Sequence, residues 1–315
     1  MKYQGNGLPP DGNKKNRFSY FADDGLRDTV NMALELEYPL LVKGPPGCGK
    51  TRLADSIAHE LGIPKERQFK WYIKSTSRAR DGIYTIDMVR RLQDAQTTGP
   101  QSERAQRLTP YIRFGPLGSA LKSPQRSLLL IDEIDKADID FPNDLLRELD
   151  EMQFTIEELV GLTLTPEEKA AGWQDTYPAQ QRPIIVITSN DEKELPDAFL
   201  RRCLFYYIDF PKPDRLQQIV AANLRDKGEA NPQTKLIEHA IAQLQKFRAI
   251  GELRKAPATS ELIDWVRILH RWNVVVEQLA ADKRLSDLPH WQVLFKHERD
   301  VNRVHEFTQE QTKPK

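Results

Sequence analysis

Apolar positions change their rhythm near residue 211. Before it, short aliphatic runs alternate with stretches of helical spacing. Leu26, Val30, Ala33 and Leu34 recur at i, i+4, i+7 and i+8, which predicts a helix over residues 24–36. The apolar run 39–42 follows and stops at Gly44, the look of a buried parallel strand. Residues 51–61 return to helical spacing and close at Gly62 and Pro64. Further strand candidates are 69–73, 128–131, 184–187 and 203–210. Strands alternating with helices predict βαβ units, an α/β fold with a parallel five-stranded sheet covered on both faces. After Pro211 and Pro213 the pattern becomes long amphipathic stretches, 214–226, 234–248 and 259–280, with no strand. The expected domains are a flexible N-terminal arm (1–17), an α/β core (18–211), a smaller α-helical lid domain (212–307) and a disordered tail (308–315).

Composition narrows the class of protein. The 315 residues carry 46 Lys+Arg and 46 Asp+Glu, so the chain lacks the basic excess of a wholesale nucleic-acid binder. No apolar run approaches the ~20 residues of a membrane span, and no signal-peptide apolar region opens the chain. Cys48 and Cys203 are too few and too far apart for a disulfide framework or a zinc cluster. The expected location is therefore a cytoplasm. The zero net charge hides opposed patches, because 65–126 holds 13 basic and 5 acidic residues and 132–151 holds 2 and 9. Such patches would suit protomers meeting head-to-tail.

The chemistry concentrates at two places. Gly44-Pro45-Pro46-Gly47-Cys48-Gly49-Lys50-Thr51 fits G-x-x-x-x-G-K-[ST] between a strand and a helix. Glycines let backbone N–H groups converge on phosphate oxygens, and the helix N-terminus adds its positive end. Lys50 is expected to reach the β- and γ-phosphates, the Thr51 hydroxyl to hold Mg²⁺, and Arg52 to continue the nucleotide-binding stretch. Cys48 reads as a small loop filler. The run 128–131 ends in Asp132-Glu133. Asp132 suits the Mg²⁺ shell, and Glu133 is placed to orient or deprotonate a water attacking the γ-phosphate. The expected cofactors are ATP and Mg²⁺.

These motifs, followed by Thr188-Ser189-Asn190 and by Leu195-Pro196-Asp197-Ala198-Phe199-Leu200-Arg201-Arg202, resemble an AAA+ ATPase. Residues 114–121 and 144–156 further resemble the MoxR branch, grouped with the dynein-related and chelatase-like proteins. The resemblance covers roughly residues 20–280. It implies an AAA+ P-loop NTPase core with a helical lid. It implies Asn190 as the sensor-1 residue that positions the attacking water. It also implies that Arg202, or Arg201 beside it, reaches a neighbouring subunit's γ-phosphate. The arginine that many relatives carry near the third lid helix is missing, leaving Arg254 or Lys255 as substitutes, with Thr259 or Ser260 as the helix N-cap. The implied activity is ATP hydrolysis in a homo-oligomeric ring, a hexamer, that remodels a protein client, and the family suggests one with a von Willebrand A-type domain. The segments 74–113 and 154–182 are the expected acting surfaces. A nucleic-acid or GTP-using motor of the restriction type and a nucleotide-gated scaffold with little turnover are the alternatives. Stacking of Trp71-Tyr72 on single-stranded nucleic acid is weighed against a core role, which is favoured.

Overall fold

The computed structural model describes residues 2–13, 18, 20–98, 106–226 and 234–310. The chain forms two compact units. One comprises 2–13, 22–43 and 50–207, and the other comprises residues from 208 onward with 18, 20–21 and 44–49.

The first unit is built on a five-stranded sheet: β1 (Leu40–Lys43), β2 (Gln68–Tyr72), β3 (Leu128–Asp132), β4 (Ile184–Ser189) and β5 (Leu204–Tyr207), in the order β2-β3-β4-β1-β5. All pairings are parallel, with Gln68 opposite Leu128, Leu128 opposite Ile184, and Leu40 opposite both Val186 and Leu204. Strands β3 and β4 are buried throughout, so their sequences run almost wholly aliphatic. The helix Asp24–Leu36 buries Leu26, Val30 and Ala33; its N-cap Asp23 accepts from the Leu26 N–H at 2.7 Å. The fifth strand is shorter than the expected 203–210.

Two antiparallel ribbons, Tyr84–Ile86 with Ile112–Phe114 and Gln153–Thr155 with Thr176–Pro178, carry no periodic signal because each strand has three residues. They bring the two expected acting surfaces together. Phe114 meets Phe154, Trp173 and Tyr177 edge-on or stacked, at 5.5–6.1 Å between ring centroids. The Tyr84 hydroxyl donates to Glu158, which also pairs with Arg80, and Thr109 donates to Glu168 at 2.5 Å. Of the arginines in the basic stretch, Arg80, Arg107 and Arg113 pair within the chain with Glu158, Glu167 and Asp87; Arg104 lies outside the described residues. Trp71 is buried edge-on against Phe141 at 5.3 Å, whereas Tyr72 is exposed.

Both chain ends differ from expectation. Tyr3 is fully buried with its hydroxyl 3.0 Å from Ser56, and the backbone N–H groups of Gln4, Gly5 and Gly7 converge on the buried Glu60 carboxylate. Residues 3–7 are thus packed in place, and the flexible-arm expectation does not hold for them. Residues 14–17 and 311–315 lie outside the described part. At the other end the helix Glu298–Glu310 takes in the first three residues of the expected tail, with Thr308 buried.

The second unit contains the helices Pro213–Asp226, Thr234–Arg248, Thr259–Arg271 and Glu298–Glu310. Its core centres on Phe247, stacked on Trp291 at 5.8 Å and edge-on to Trp265 at 6.3 Å. The buried indoles donate to Pro289 and Ser286 carbonyls, so neither N–H is left unpaired. The third helix ends at Arg271 rather than near 280, because Asn273 takes a left-handed conformation at φ 52°. No helix among the described residues is long and apolar enough to cross a membrane.

Candidate active site

Sheet order decides which residues meet. Strands β3, β4 and β1 are neighbours, so Asp132, Asn190 and the start of the loop after Lys43 leave the same sheet edge, with Lys43 in register with Ser189. Ligands of open α/β sheets bind at the carboxyl ends of their strands. Asp132 closes β3 and is buried. Its carboxylate accepts from the Thr51 hydroxyl at 3.0 Å and from the Thr188 hydroxyl at 2.6 Å. Thr51 lies in the first turn of the helix Lys50–Glu60, whose first residue, Lys50, is also buried. Arg52 follows on the same turn, half-buried.

Glu133 leaves the strand in a left-handed backbone conformation, φ 60° and ψ 51°. Such a conformation costs a residue with a Cβ of order 1 kcal/mol and survives only where neighbours over-determine it. Its N–H donates to Thr188 Oγ1 at 2.9 Å, so one hydroxyl bridges Asp132 and Glu133. Asn190 Nδ2 donates to Glu133 Oε1 at 2.9 Å, and Lys136 Nζ donates to Oε2. Burial opposes the charged carboxylate, but hydrogen bonds from Lys136 and Asn190, with the charges of Lys136 and Lys50, outweigh it. Glu133 is held below the ordinary carboxylate range.

Asp135 anchors the same region from beneath. It is buried, and Oδ2 accepts from the backbone N–H groups of Asn190 at 3.0 Å and Glu192 at 2.9 Å. Thr188 stands in the motif Thr188-Ser189-Asn190 with no role expected of it, and sequence reasoning missed Asp135 and Lys136. The signals were a threonine next to the end of an aliphatic strand and a third acidic residue two positions after Glu133. The bridges themselves need the neighbouring strand.

Within the second unit, the loop of Gly44, Pro45, Pro46, Gly47, Cys48 and Gly49 packs among residues distant in sequence. Gly44 and Gly47 have φ of +155° and +80°. A Cβ on Gly44 would lie 2.6 Å from the Ile208 carbonyl oxygen, and one on Gly47 would lie 2.7 Å from Ser260 Oγ. Glycine is required at both positions by conformation and by space. Neither Thr259 nor Ser260 caps the helix Thr259–Arg271. Ala258 holds the cap position, its N–H bonded to Glu261 at 3.1 Å, while Thr259 Oγ1 is buried without a partner among the described residues. The Lys255 ammonium lies 3.8 Å from Glu261, and Asp300 accepts from the Arg254 and Lys255 backbone N–H groups.

A family model matches residues 40–211, more than half of the chain, and describes the ATPase family associated with various cellular activities, AAA. The chain belongs to this family. Domain III of the replication initiation protein DnaA from Thermotoga maritima, a crystal structure, is similar at 16% identity and a TM-score of 0.43. That comparison covers 88% of this chain and 93% of that one. No curated protein matches the sequence at a significant level.

In this AAA protein the matched region contains the expected arginine pair after the helix Asp197–Leu200. Arg202 is held within its own chain: Nε donates to Asp150 at 2.6 Å and Nη1 to the Ala198 carbonyl at 2.7 Å. Arg201 is exposed.

The donor set suits a magnesium ion. One buried carboxylate, Asp132, and one hydroxyl, Thr51, meet at 3.0 Å. Mg²⁺ retains several waters and is bound through one or two carboxylates plus substrate phosphates, so this pair of oxygen donors fits it.

Proposed function

We propose that this AAA protein binds Mg-ATP and hydrolyses it, and that it acts as a MoxR-like ring ATPase on a protein client. The observation that carries the reading is the continuous chain of hydrogen bonds Thr51–Asp132–Thr188–Glu133–Asn190. It joins the helix after the glycine-rich loop to the ends of two central strands.

In this reading the loop's N–H groups take up the phosphates and Lys50 neutralises their charge. Thr51 and Asp132 hold Mg²⁺, which when bound supplies charge stabilisation on the phosphate oxygens. Glu133 aligns the attacking water and receives its proton, with Asn190 fixing the carboxylate's rotation. The ionised state of Glu133 suits a base, and its pairing with Lys136 must loosen before Oε2 can take a proton. Arg202 serves the neighbouring subunit's nucleotide once freed from Asp150, and Arg201 is the alternate. A homo-hexameric ring and a client with a von Willebrand A-type domain follow from the resemblance of residues 114–121 and 144–156 to the MoxR branch.

The test is steady-state hydrolysis by the wild type and by Glu133→Gln, with ATP binding measured on both. The variant is expected to bind ATP and to lose turnover. Wild-type turnover in Glu133→Gln would overturn the role assigned to Glu133, and stimulation by DNA with steep salt dependence would move the client from protein to nucleic acid.

A further inference from the structure

Arg248, at the end of the helix Thr234–Arg248, belongs to none of the motifs above. Its guanidinium carbon lies 3.5 Å from the centroid of the Phe210 ring, and Nη1 donates to the Pro257 carbonyl at 2.5 Å. Burial depresses its pKa, and among the described residues no carboxylate pairs with it. Glu261, a nearby acid in sequence, is occupied by the Ala258 N–H, the Ser260 hydroxyl and Lys255. A half-buried cation without a counter-ion is costly unless its geometry is used. Only a planar guanidinium stacks on a ring with its face and donates sideways with its edge.

The two groups it joins lead directly to the glycine-rich loop, within the same unit. Phe210 follows Ile208, whose carbonyl crowds Gly44, and Pro257 precedes Ala258 and Ser260, which crowd Gly47. A Cβ on Gly47 would lie 3.1 Å from Ala258 Cβ as well as 2.7 Å from Ser260 Oγ. The loop is therefore flanked by two strips of chain, 208–210 and 257–260, which lead into the first and third helices of this unit and are linked by the Arg248 side chain.

We propose that Arg248 is a positioning residue for the phosphate loop: by bonding Phe210 to Pro257 it sets the spacing of the strips flanking Gly44 and Gly47, and so the loop conformation that receives a nucleoside phosphate. This rests on the nucleotide-binding reading above and adds to it a residue outside the family's motif regions.

The test is fluorescence titration with methylanthraniloyl-ADP and Mg²⁺ of wild type, Lys50→Ala, Arg248→Met and Arg248→Lys, with thermal melts of the nucleotide-free proteins. Arg248→Met is expected to melt like the wild type yet to bind about tenfold more weakly, with KM for ATP rising more than kcat falls. Arg248→Lys, which keeps charge but not the planar fork, should recover only part of the loss. A folded Arg248→Met with wild-type Kd overturns the proposal, while loss of binding by Lys50→Ala in the same series leaves the nucleotide reading standing. No binding by the wild type overturns both. Should Arg248→Met fail to fold, Phe210→Leu keeps the guanidinium and its bond to Pro257. Its Kd is then expected to rise about threefold, and an unchanged Kd overturns the proposal.

Discussion

The side-chain amide of Asn190 donates to the Glu133 carboxylate at 2.9 Å, across a sequence separation of 57 residues. Asn190 is itself held by its backbone, through Asp135. The expected general base is thus oriented by a group whose position depends on the acidic segment that follows it. Both ends of the contact sit where β3 and β4 leave the sheet side by side.

Asn190→Ala should therefore slow turnover about a hundredfold, at the low end of what a positioned acid–base group contributes. ATP affinity should change little, because the amide touches Glu133 rather than the loop. Equal losses in kcat and affinity would show Asn190 to be structural.

Thr188→Val tests the hydroxyl that bridges Asp132 and the Glu133 N–H. Valine keeps the shape but leaves buried polar groups unpaired, at about 1–3 kcal/mol. The melting temperature should fall and turnover should drop, and Thr188→Ser should restore both. Calorimetry and a hydrolysis assay read the two effects separately.

At the N-terminus, Glu60→Ala removes the acceptor of three backbone N–H groups. Residues 3–7 should come away from the helix Lys50–Glu60 and become a site of proteolytic nicking. Tyr3→Phe, which loses only the hydroxyl beside Ser56, should cost about 1 kcal/mol. Protease resistance of Glu60→Ala equal to wild type would contradict this.

The two thiols should differ in reactivity. Burial pushes Cys203 up to about 12, so between pH 7 and 9 its reactive thiolate is scarce and its alkylation negligible in the folded protein. The sign follows from burial, since a raised pKa keeps the thiol protonated until pH approaches 12. Cys48, half-buried in the glycine-rich loop, should react first and be protected by Mg-ATP. Mass spectrometry after iodoacetamide treatment checks both statements, and rapid labelling of native Cys203 would refute the first.

Arg202 pairs with Asp150 in the single chain. If it acts on a neighbouring subunit, Arg202→Ala should lower turnover by about a thousandfold. Mixing that variant with Lys50→Ala should restore part of the activity, because each supplies what the other lacks. No recovery at any mixing ratio would remove the assignment.

Much of the first unit was legible from periodicity. The helix 24–36 and the β1, β3 and β4 runs carry their own signal, because a strand buried on both faces is aliphatic throughout. What escaped was decided by partners far along the chain. Tyr3 looks like part of a polar arm until the helix Lys50–Glu60 supplies Ser56 and Glu60. The ribbons at 84–86 and 112–114 exist only as a pair. The end of the third lid helix is the exception, because Asn273, a residue type enriched in the left-handed conformation, is a local stop signal that the amphipathic stretch 259–280 runs past.

By itself the sequence determined the phosphate loop and the acidic strand end, because each is a contiguous stretch whose chemistry follows from backbone conformation and neighbouring residues. Gly44, Gly47, Lys50, Thr51, Asp132 and Glu133 are readable for that reason. Only the tertiary structure decided what those residues are held by: Thr188 between Asp132 and Glu133, Asp135 beneath Asn190, Asp150 on Arg202, and Arg248 between Phe210 and Pro257. The physical reason is range. A loop's conformation is set over a few bonds, but a hydrogen bond or a stacked cation requires two groups to arrive within about 3–6 Å, and folding alone brings together side chains dozens of residues apart.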